Sequence, residues 1–560
     1  MAVENLITEH IDIWTSAVKT KSTSGLGSSK KLELYGVKKL RELILELAVQ
    51  GKLVPQDPND EPASVLLERI KDERRAEAKN GKLKEVKAIS ENEFPYKLPI
   101  NWSFVRLEEI IQISSGKNLT AKKMDTSGKI PVYGGNGVTG IHSESNVSEK
   151  TIVIGRVGFY CGSVHLTPAC AWVTDNAFIT KYSRANLDED FLVWLLKATN
   201  LGENDSATAQ PVISGKKVYP IVVALPPKEE QRLIAAKIDE LLALCDQLEQ
   251  QTEASIEAHQ VLVTTLLDTL TNSADADELM QNWARISEHF DTLFTTEESI
   301  DQLKQTILQL AVMGKLVSQD PNDEPASELL KRIAEEKAQL ILKKEIPKAK
   351  KFEEISVEDN AFSAPSNWSW VRLETVFNVI VDCPHSTAKF QDEGLLCIDT
   401  NSFKQGQLHP NRFRFVSEET FDKRNARLVP KSRDIIFARE GSVGESVVIP
   451  EGVECCLGQR VMLFRPSESL NAEFLRLTIS NKGALNQLLV LHKGIGAKHV
   501  NVGDMRAFVI CLPPKMEQDR IVDKVNELLG LCELLKSSLK DFQSTQLYLT
   551  DTIIDRAVQL

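Results

Sequence analysis

Two stretches of the chain repeat an apolar residue at alternating steps of four and three. Ile234, Ile238, Leu241, Cys245 and Leu248 form one series; Ile521, Val525, Leu528, Cys532 and Leu535 form the other. This is the a/d spacing of a coiled-coil seam. The first series follows Pro227, which suits a helix start because it lacks an N–H that would be orphaned there. Glu229 and Glu230 then suit the positive end of the helix dipole. Leu262 and Leu266 extend the first helix to about Leu270. Leu539, Phe542, Leu549 and Ile553 extend the second, and each helix is roughly 65 Å long at about 1.5 Å per residue. Because the seams match, the helices are expected to pack on each other as an antiparallel coiled coil with pseudo-two-fold symmetry. The alternative is that each helix packs on its own lobe.

Elsewhere the pattern is of short β-rich runs. Thr151–Gly158 and Asp434–Gly441 each end a strand in an Arg-x-Gly turn, and Val218–Pro227 and Phe508–Pro514 read as last strands leading into the long helices. Tyr133–Gly140 reads as a glycine-rich loop, and Asp190–Ala198 as a helix. Met1–Ile13 reads as an amphipathic helix. Ser24–Ser29 reads as a flexible link and Asn272–Asp277 as the joint between halves. The charged runs Lys71–Lys87 and Glu335–Lys351 read as solvated helix or loop. The expected fold class is α+β: two α/β lobes joined by the two long helices.

The chain is written twice, and such repeats decide a fold before local patterns do. Leu43–Ile70 returns as Thr306–Ile333, Asn101–Ile110 as Asn367–Val376, and Leu225–Cys245 as Leu512–Cys532. A weaker echo pairs Ile7–Asp12 with Ile286–Asp291. The expected divisions are a helical region 1–96, a lobe 97–224, a long helix 225–275, a repeat of the first region 276–363, a second lobe 364–511, and a second long helix 512–560. The inserts between the shared blocks match only in islands such as Gly155–Gly162 against Ala438–Glu445. A common frame with two unlike inserts suits a device that reads two different things with one geometry.

Composition adjusts this picture. The 560 residues, 42% of them hydrophobic, suffice for about three to five domains. No apolar run is long enough to span a membrane. The nine cysteines are scattered and form no CxxC pair, which fits a reducing cytoplasm rather than a disulfide framework or zinc site. The net charge of −12 argues against nucleic acid until it is divided by region. Lobe Lys97–Ala224 and lobe Ala364–Ile510 are each net +2, which leaves −16 on the frame. Acidic helices need not meet phosphate, and mildly basic lobes can.

Catalytic motifs are missing. There is no Asn/Asp-Pro-Pro-aromatic tetrapeptide of an adenine methyltransferase, no GxxxxGK[ST] phosphate loop, and no HExxH. Glu335, Glu336 and Lys337 imitate a nuclease set but sit in a helical charge run.

The Leu-Pro-Pro-x-x-Glu-Gln block followed by a long helix, present twice around two variable segments, resembles the specificity subunits of type I restriction-modification systems. The Leu-Ala-Val-x-Gly-Lys-Leu-Val and Asp-Pro-Asn-Asp-Glu-Pro-Ala blocks resemble that family's flanking conserved regions. The resemblance covers nearly the whole chain. It implies that each lobe is a target recognition domain reading half of a bipartite DNA site, with no catalysis in this chain. Two modification subunits would dock on the frame and methylate adenine with S-adenosylmethionine. Restriction subunits would add a motor and nuclease using ATP and Mg²⁺. The rival readings are a self-contained methyltransferase or nuclease, and a scaffold that binds proteins only.

Base chemistry selects candidate DNA contacts, because Arg bridges guanine O6 and N7 while Asn and Gln pair with adenine. In lobe one these are Lys117, Asn118, Lys122, Lys123, Asn136, Arg156, Lys216 and Lys217. In lobe two they are His385, Lys389, Asn401, Arg412, Arg414, Arg439, Lys493 and Lys498. Arg156 and Arg439 stand out because both lobes place them in the same turn, where an arginine that closes the turn is the other reading. His499 is a DNA contact or a structural histidine.

Overall fold

The computed structural model describes residues 3–21, 31–77, 86–199, 201–202, 212–274, 276–348, 350–356, 362–384, 386–481, 483, 485 and 499–559. The Ser24–Ser29 link lies outside them. They divide into two compact units, one of residues 1–255 with 542–560 and one of residues 256–541. The division does not follow the sequence halves. Each unit holds one lobe, the start of one long helix and the end of the other.

The long helices are Lys228–Asn272 and Lys515–Gln559, 45 residues each. Their ends are held alike within each unit. In the first unit, the Lys52 ammonium donates to the Val558 carbonyl, and the Tyr35 hydroxyl donates to Asp551 at 2.8 Å. In the second, Lys315 donates to the Thr271 and Ser273 carbonyls at 2.8 and 2.6 Å. The lysine of the repeated Gly-Lys-Leu-Val block thus satisfies carbonyls that a helix C-terminus leaves open.

The seam positions are buried within their own units. Ile521, Val525 and Cys532 join one buried cluster with Leu303, Ile307 and Leu310 of the short helix Glu297–Val312. Ile234, Ile238, Leu241 and Cys245 are equally buried, and beside Cys245 the Arg41 guanidinium pairs with Asp246 and Glu249 at 2.6 and 2.7 Å. Leu248, Leu528 and Leu535 are half-buried. The early seam therefore serves the fold of each unit. Further along, the expected phase holds only in part: Leu266 and Leu539 pack against the buried cluster and Ile553 is half-buried. Leu262, Phe542 and Leu549 are exposed, while Val263, Leu267 and Leu270 are buried. A straight helix drifts about 20° per heptad against a strict seven-residue repeat, so a pattern carried forward about four heptads, from Ile234 to Leu262, turns by about 80° and leaves the buried face.

The repeated blocks recur because they meet. Glu230, the glutamate of the Leu-Pro-Pro-x-x-Glu-Gln block, is 1% exposed and accepts from Trp102 Nε1 at 2.8 Å and from Gln56 at 3.3 Å. Glu517 is 0% exposed and accepts from Trp368 at 3.0 Å and Gln319 at 2.7 Å. Burial raises both carboxyls above their ordinary value, and the donated hydrogen bonds work against that rise. The adjoining glutamine clamps the lobe. Gln231 accepts from Asp188 N at 2.9 Å and donates to the Pro226 carbonyl at 3.1 Å; Gln518 does the same with Asn471 N and Pro513, both at 2.9 Å. Gly51 and Gly314, at φ 70° and 71°, end the preceding short helices. A Cβ on either would lie within 2.7 Å of Pro99 or Pro365, so this junction admits only glycine.

The charged run Glu335–Lys351 is not solvated throughout. Its first part ends the helix Ala326–Leu342, and Lys337 is buried there, donating to the Glu374 carbonyl and, at 2.8 Å, to that of Phe377. Glu336 accepts from Ser467 and, at 2.8 Å, from Asn378. In the first unit Arg74 donates to the Glu108 and Glu109 carbonyls at 2.5 and 2.7 Å, and Glu73 accepts from Ser183 and Asn186. These side chains anchor frame helices to their lobes, which gives Glu336 and Lys337 structural roles in place of the nuclease reading; Glu335 is exposed.

Both lobes contain the same four-stranded antiparallel sheet. In lobe one the order is Ile111–Ser115, Ala177–Tyr182, Ile152–Gly155, Val164–Leu166. In lobe two it is Phe377–Asp382, Val461–Pro466, Ile435–Ala438, Ser446–Val448. The last strands are shorter than expected, Val222–Leu225 and Val509–Leu512, and pair with Ser103–Arg106 and Ser369–Arg372. The second sheets differ. Lobe one has three strands, Gly137–His142, Ile130–Gly134 and Trp172–Val173, so most of the Tyr133–Gly140 stretch is a hairpin rather than a loop. Lobe two has four strands, Phe390–Gln391, Arg414–Val416, Leu395–Ile398 and Cys456–Leu457, with an added helix Glu418–Asn425.

Candidate nucleic-acid interface

In each lobe the third segment of the common sheet runs into the Arg-x-Gly turn, and the backbone there is held identically. Arg156 N donates to the Asn176 carbonyl at 2.8 Å, and Ile213 N donates to the Arg156 carbonyl at 2.9 Å. Arg439 N donates to the Arg460 carbonyl at 2.9 Å, and Val500 N donates to the Arg439 carbonyl at 3.0 Å. The isolated bridges Val157–Val212 and Glu440–His499 are also equivalent. The two turns therefore draw the same distant segments to the same end of the sheet.

The side chains at this point are built in. Arg156 reaches Ser115 Oγ at 3.2 Å and lies over the Phe178 ring at 5.4 Å; its Nε is buried without a hydrogen-bond partner. Arg439 is 13% exposed and pairs with Asp382 at 3.2 Å and Glu440 at 3.1 Å. Ser115 and Asp382 end equivalent strands. Both arginines thus tie the turn to the first strand, in support of the turn-closing role.

Around Arg156 lobe one gathers several of its candidates. Lys117 is exposed and its N–H donates to the Val173 carbonyl at 3.0 Å; Asn118 is exposed and donates to Asp175 at 3.0 Å. Asn136 is exposed at the hairpin tip, and a Cβ on the adjoining Gly135 would lie 2.3 Å from the Val157 carbonyl. Lys216 and Lys217 follow Ile213 in the helical turn Gly215–Val218, with Lys216 exposed. Lys122 and Lys123 are exposed but stand apart, because their turn is tied to the far end of the hairpin through Asp125 N and His142 at 3.1 Å.

Lobe two divides its candidates. Lys389, Asn401, Arg412 and Arg414 are exposed on or beside the second sheet. Arg414 pairs with Asp399 at 3.1 Å and lies 4.1 Å over the Phe390 ring, and Asn401 N donates to Asp399 at 2.9 Å. His499 is exposed beside Glu440 at the turn. His385, Lys493 and Lys498 lie outside the described residues. Sequence reasoning missed Arg460, which is 63% exposed at φ 64° and pairs with Glu440 at 3.6 Å. Its signal was its place before the strand Val461–Pro466, where lobe one has Asn176. Also missed were Phe159 and Tyr160 at the tip of the first turn.

Residues 99–258 and 365–541 match the family model described as the type I restriction modification DNA specificity domain. The chain belongs to this family. It is 38% identical to the type I restriction enzyme EcoAI specificity subunit of Escherichia coli and 37% identical to the EcoEI specificity subunit, each alignment covering 100% of both chains. A solved structure, described as the basis of complex assembly and conformational transition of the type I R-M system, is similar at TM-score 0.48 and 18% identity over 83% of this chain and 99% of that one. As a specificity subunit the chain supplies DNA sequence recognition to a type I system and is not its catalytic subunit. Among the described residues no helix is long and apolar enough to cross a membrane, and no His/Cys/Asp/Glu group is arranged to hold a metal ion.

Proposed function

We propose that this specificity subunit reads a bipartite, asymmetric DNA site, one half with lobe 97–224 and the other with lobe 364–511. The observation that carries the reading is that two lobes with one sheet order and one turn geometry bear different second sheets. A shared scaffold presents the lobes equivalently, and unlike surfaces call for unlike half-sites. Lys117, Asn118, Asn136 and Lys216 are the lobe-one contacts, and Lys389, Asn401, Arg412, Arg414 and Arg460 are those of lobe two. Arg156 and Arg439 position the turn.

The antiparallel coiled-coil pairing of the long helices belongs to the same proposal, as the element that sets the distance between half-sites. Its support is the equivalent lysine at the end of each long helix. The acidic frame is the docking surface for two modification subunits carrying S-adenosylmethionine and for restriction subunits carrying ATP and Mg²⁺. Gel-shift titrations of the complex assembled with its modification subunits test the reading. One split DNA sequence should bind at least about 1,000-fold more tightly than random duplex, the lower end for specific recognition. Sequence-blind binding by the assembled complex would overturn it.

A further inference from the structure

The tip of the lobe-one turn carries two aromatic side chains in water. Phe159 is 87% exposed and Tyr160 is 55% exposed, their rings edge to face at 5.1 Å. Glycines at positive φ stand on both sides, Gly158 at 101° and Gly162 at 90°. The base of the turn is fixed by Gly162 N donating to the Gly155 carbonyl at 2.8 Å, as well as by the Arg156 bonds described above. Two adjoining exposed aromatic rings on a hydrogen-bonded base make a contiguous apolar surface of the kind that marks a contact site.

Lobe two has the same base, with Gly444 N donating to the Ala438 carbonyl at 3.1 Å and Gly441 and Gly444 at φ 75° and 96°. Its tip is one residue shorter and carries Ser442 and Val443 instead. The aromatic tip is thus a property of one lobe and not a requirement of the turn.

The neighbours of the tip name its partner. The exposed cations Lys117 and Lys216 and the exposed amides Asn118 and Asn136 stand at the base of the same turn, through the Ser115, Ile213 and Val157 contacts, with Asp175, bonded to Asn118, at that end. Cations to meet phosphate at the base of an exposed aromatic tip suit a nucleic-acid duplex whose bases are partly unstacked. Apolar and aromatic wedges enter such steps, and stacking gives binding that any base can satisfy.

We propose that Phe159 and Tyr160 form a wedge that packs against an unstacked base step in the half-site of lobe one, and that lobe two binds without such a wedge. The proposal rests on the reading of lobe one as a DNA reader. The test uses the complex assembled with modification subunits, and its own split site carrying 2-aminopurine at successive positions of the lobe-one half. The variant gives the tip the two lobe-two side chains and keeps its length, Phe159→Ser with Tyr160→Val, at positions exposed enough that the thermal melt should match the parent.

The expected results are a fluorescence rise at one step in the parent complex that is lost in the variant, and binding at least about tenfold weaker, or about 1.4 kcal/mol. Substituting Ser442 and Val443 with alanine should change binding less than twofold. An unchanged fluorescence rise with affinity within twofold of the parent would overturn the wedge. Reduced assembly with modification subunits at unchanged DNA affinity would overturn it in favour of a protein contact. If the parent complex itself does not discriminate by sequence, the DNA-reading proposal fails instead, so the two failures are told apart.

Discussion

Lobe one and lobe two share a four-stranded sheet, an Arg-x-Gly turn and a buried glutamate clamp, and they part company in the second sheet and at the tip of the turn. What is shared is what fastens a lobe to its frame. What differs is what faces outward, including an aromatic pair in one lobe and an Arg414–Asp399 pair over Phe390 in the other. Attachment to the frame and the outward surface are thus separate parts of each lobe. Substitutions at the clamp should act on the stability of one unit, and substitutions at the outer surface should act on one half of the target.

The largest effect should come from the clamp. Trp102→Ala removes a buried ring and leaves Glu230 without its shorter hydrogen bond, with an expected cost of about 3–5 kcal/mol. Denaturant titration should show an earlier transition for the first unit alone; Trp368→Ala should do the same to the second. Loss of both units together from either substitution would break the separation.

The anchors of the frame helices come next. Glu336→Ala leaves Ser467 and Asn378 without an acceptor, at about 1–3 kcal/mol. Glu73→Ala should cost less, because Glu73 is exposed and water replaces it. Equal costs, measured by the same titrations, would show that the two anchors are not set apart by burial.

Smaller still are the exposed lysines. Lys117→Ala or Lys216→Ala should weaken binding of the assembled complex about equally across variants of the first half-site. Each should lower the salt slope of the affinity by about one. A selective loss at one base position would mean that the lysine reads sequence.

The smallest effect is on pH dependence. Burial raises the Glu230 carboxyl, so the folded chain keeps a proton where the unfolded chain has released it. Stability from this group is present below the ordinary carboxyl value and is lost as pH rises through the raised one. Glu230→Gln should therefore gain melting temperature relative to the parent as pH rises from about 4.5 to neutral. A constant difference across that range would contradict the assignment.

Much of the frame was legible in the sequence. The repeated blocks stand out because they meet at one buried carboxylate, where Trp102, Gln56 and Glu230, or Trp368, Gln319 and Glu517, must all be kept together. Where chemistry depends on burial, the pattern misled. Lys337 reads as a surface charge because nothing in its own helix shows that two carbonyls of the lobe will cover it. Leu262 and Leu549 extend a seven-residue rhythm that a straight helix does not follow. The second sheets escaped because strands of two to six residues, some paired in parallel across long loops, leave no periodic signal. Arg156 and Arg439 were found as a shared turn, yet their partners Ser115 and Asp382 lie on a strand far away in the chain.

We propose that two unlike lobes on one frame read two unlike half-sites. The most direct test is long-read mapping of methylated adenines in cells carrying this chain with its modification subunits. The chain would be compared with one whose residues 97–224 are replaced by the corresponding lobe of a related specificity subunit. The expected result is a single split, non-palindromic motif in which the replacement changes one half and leaves the other half and the spacer as they were. A palindromic motif, or a motif unchanged by the replacement, would contradict it.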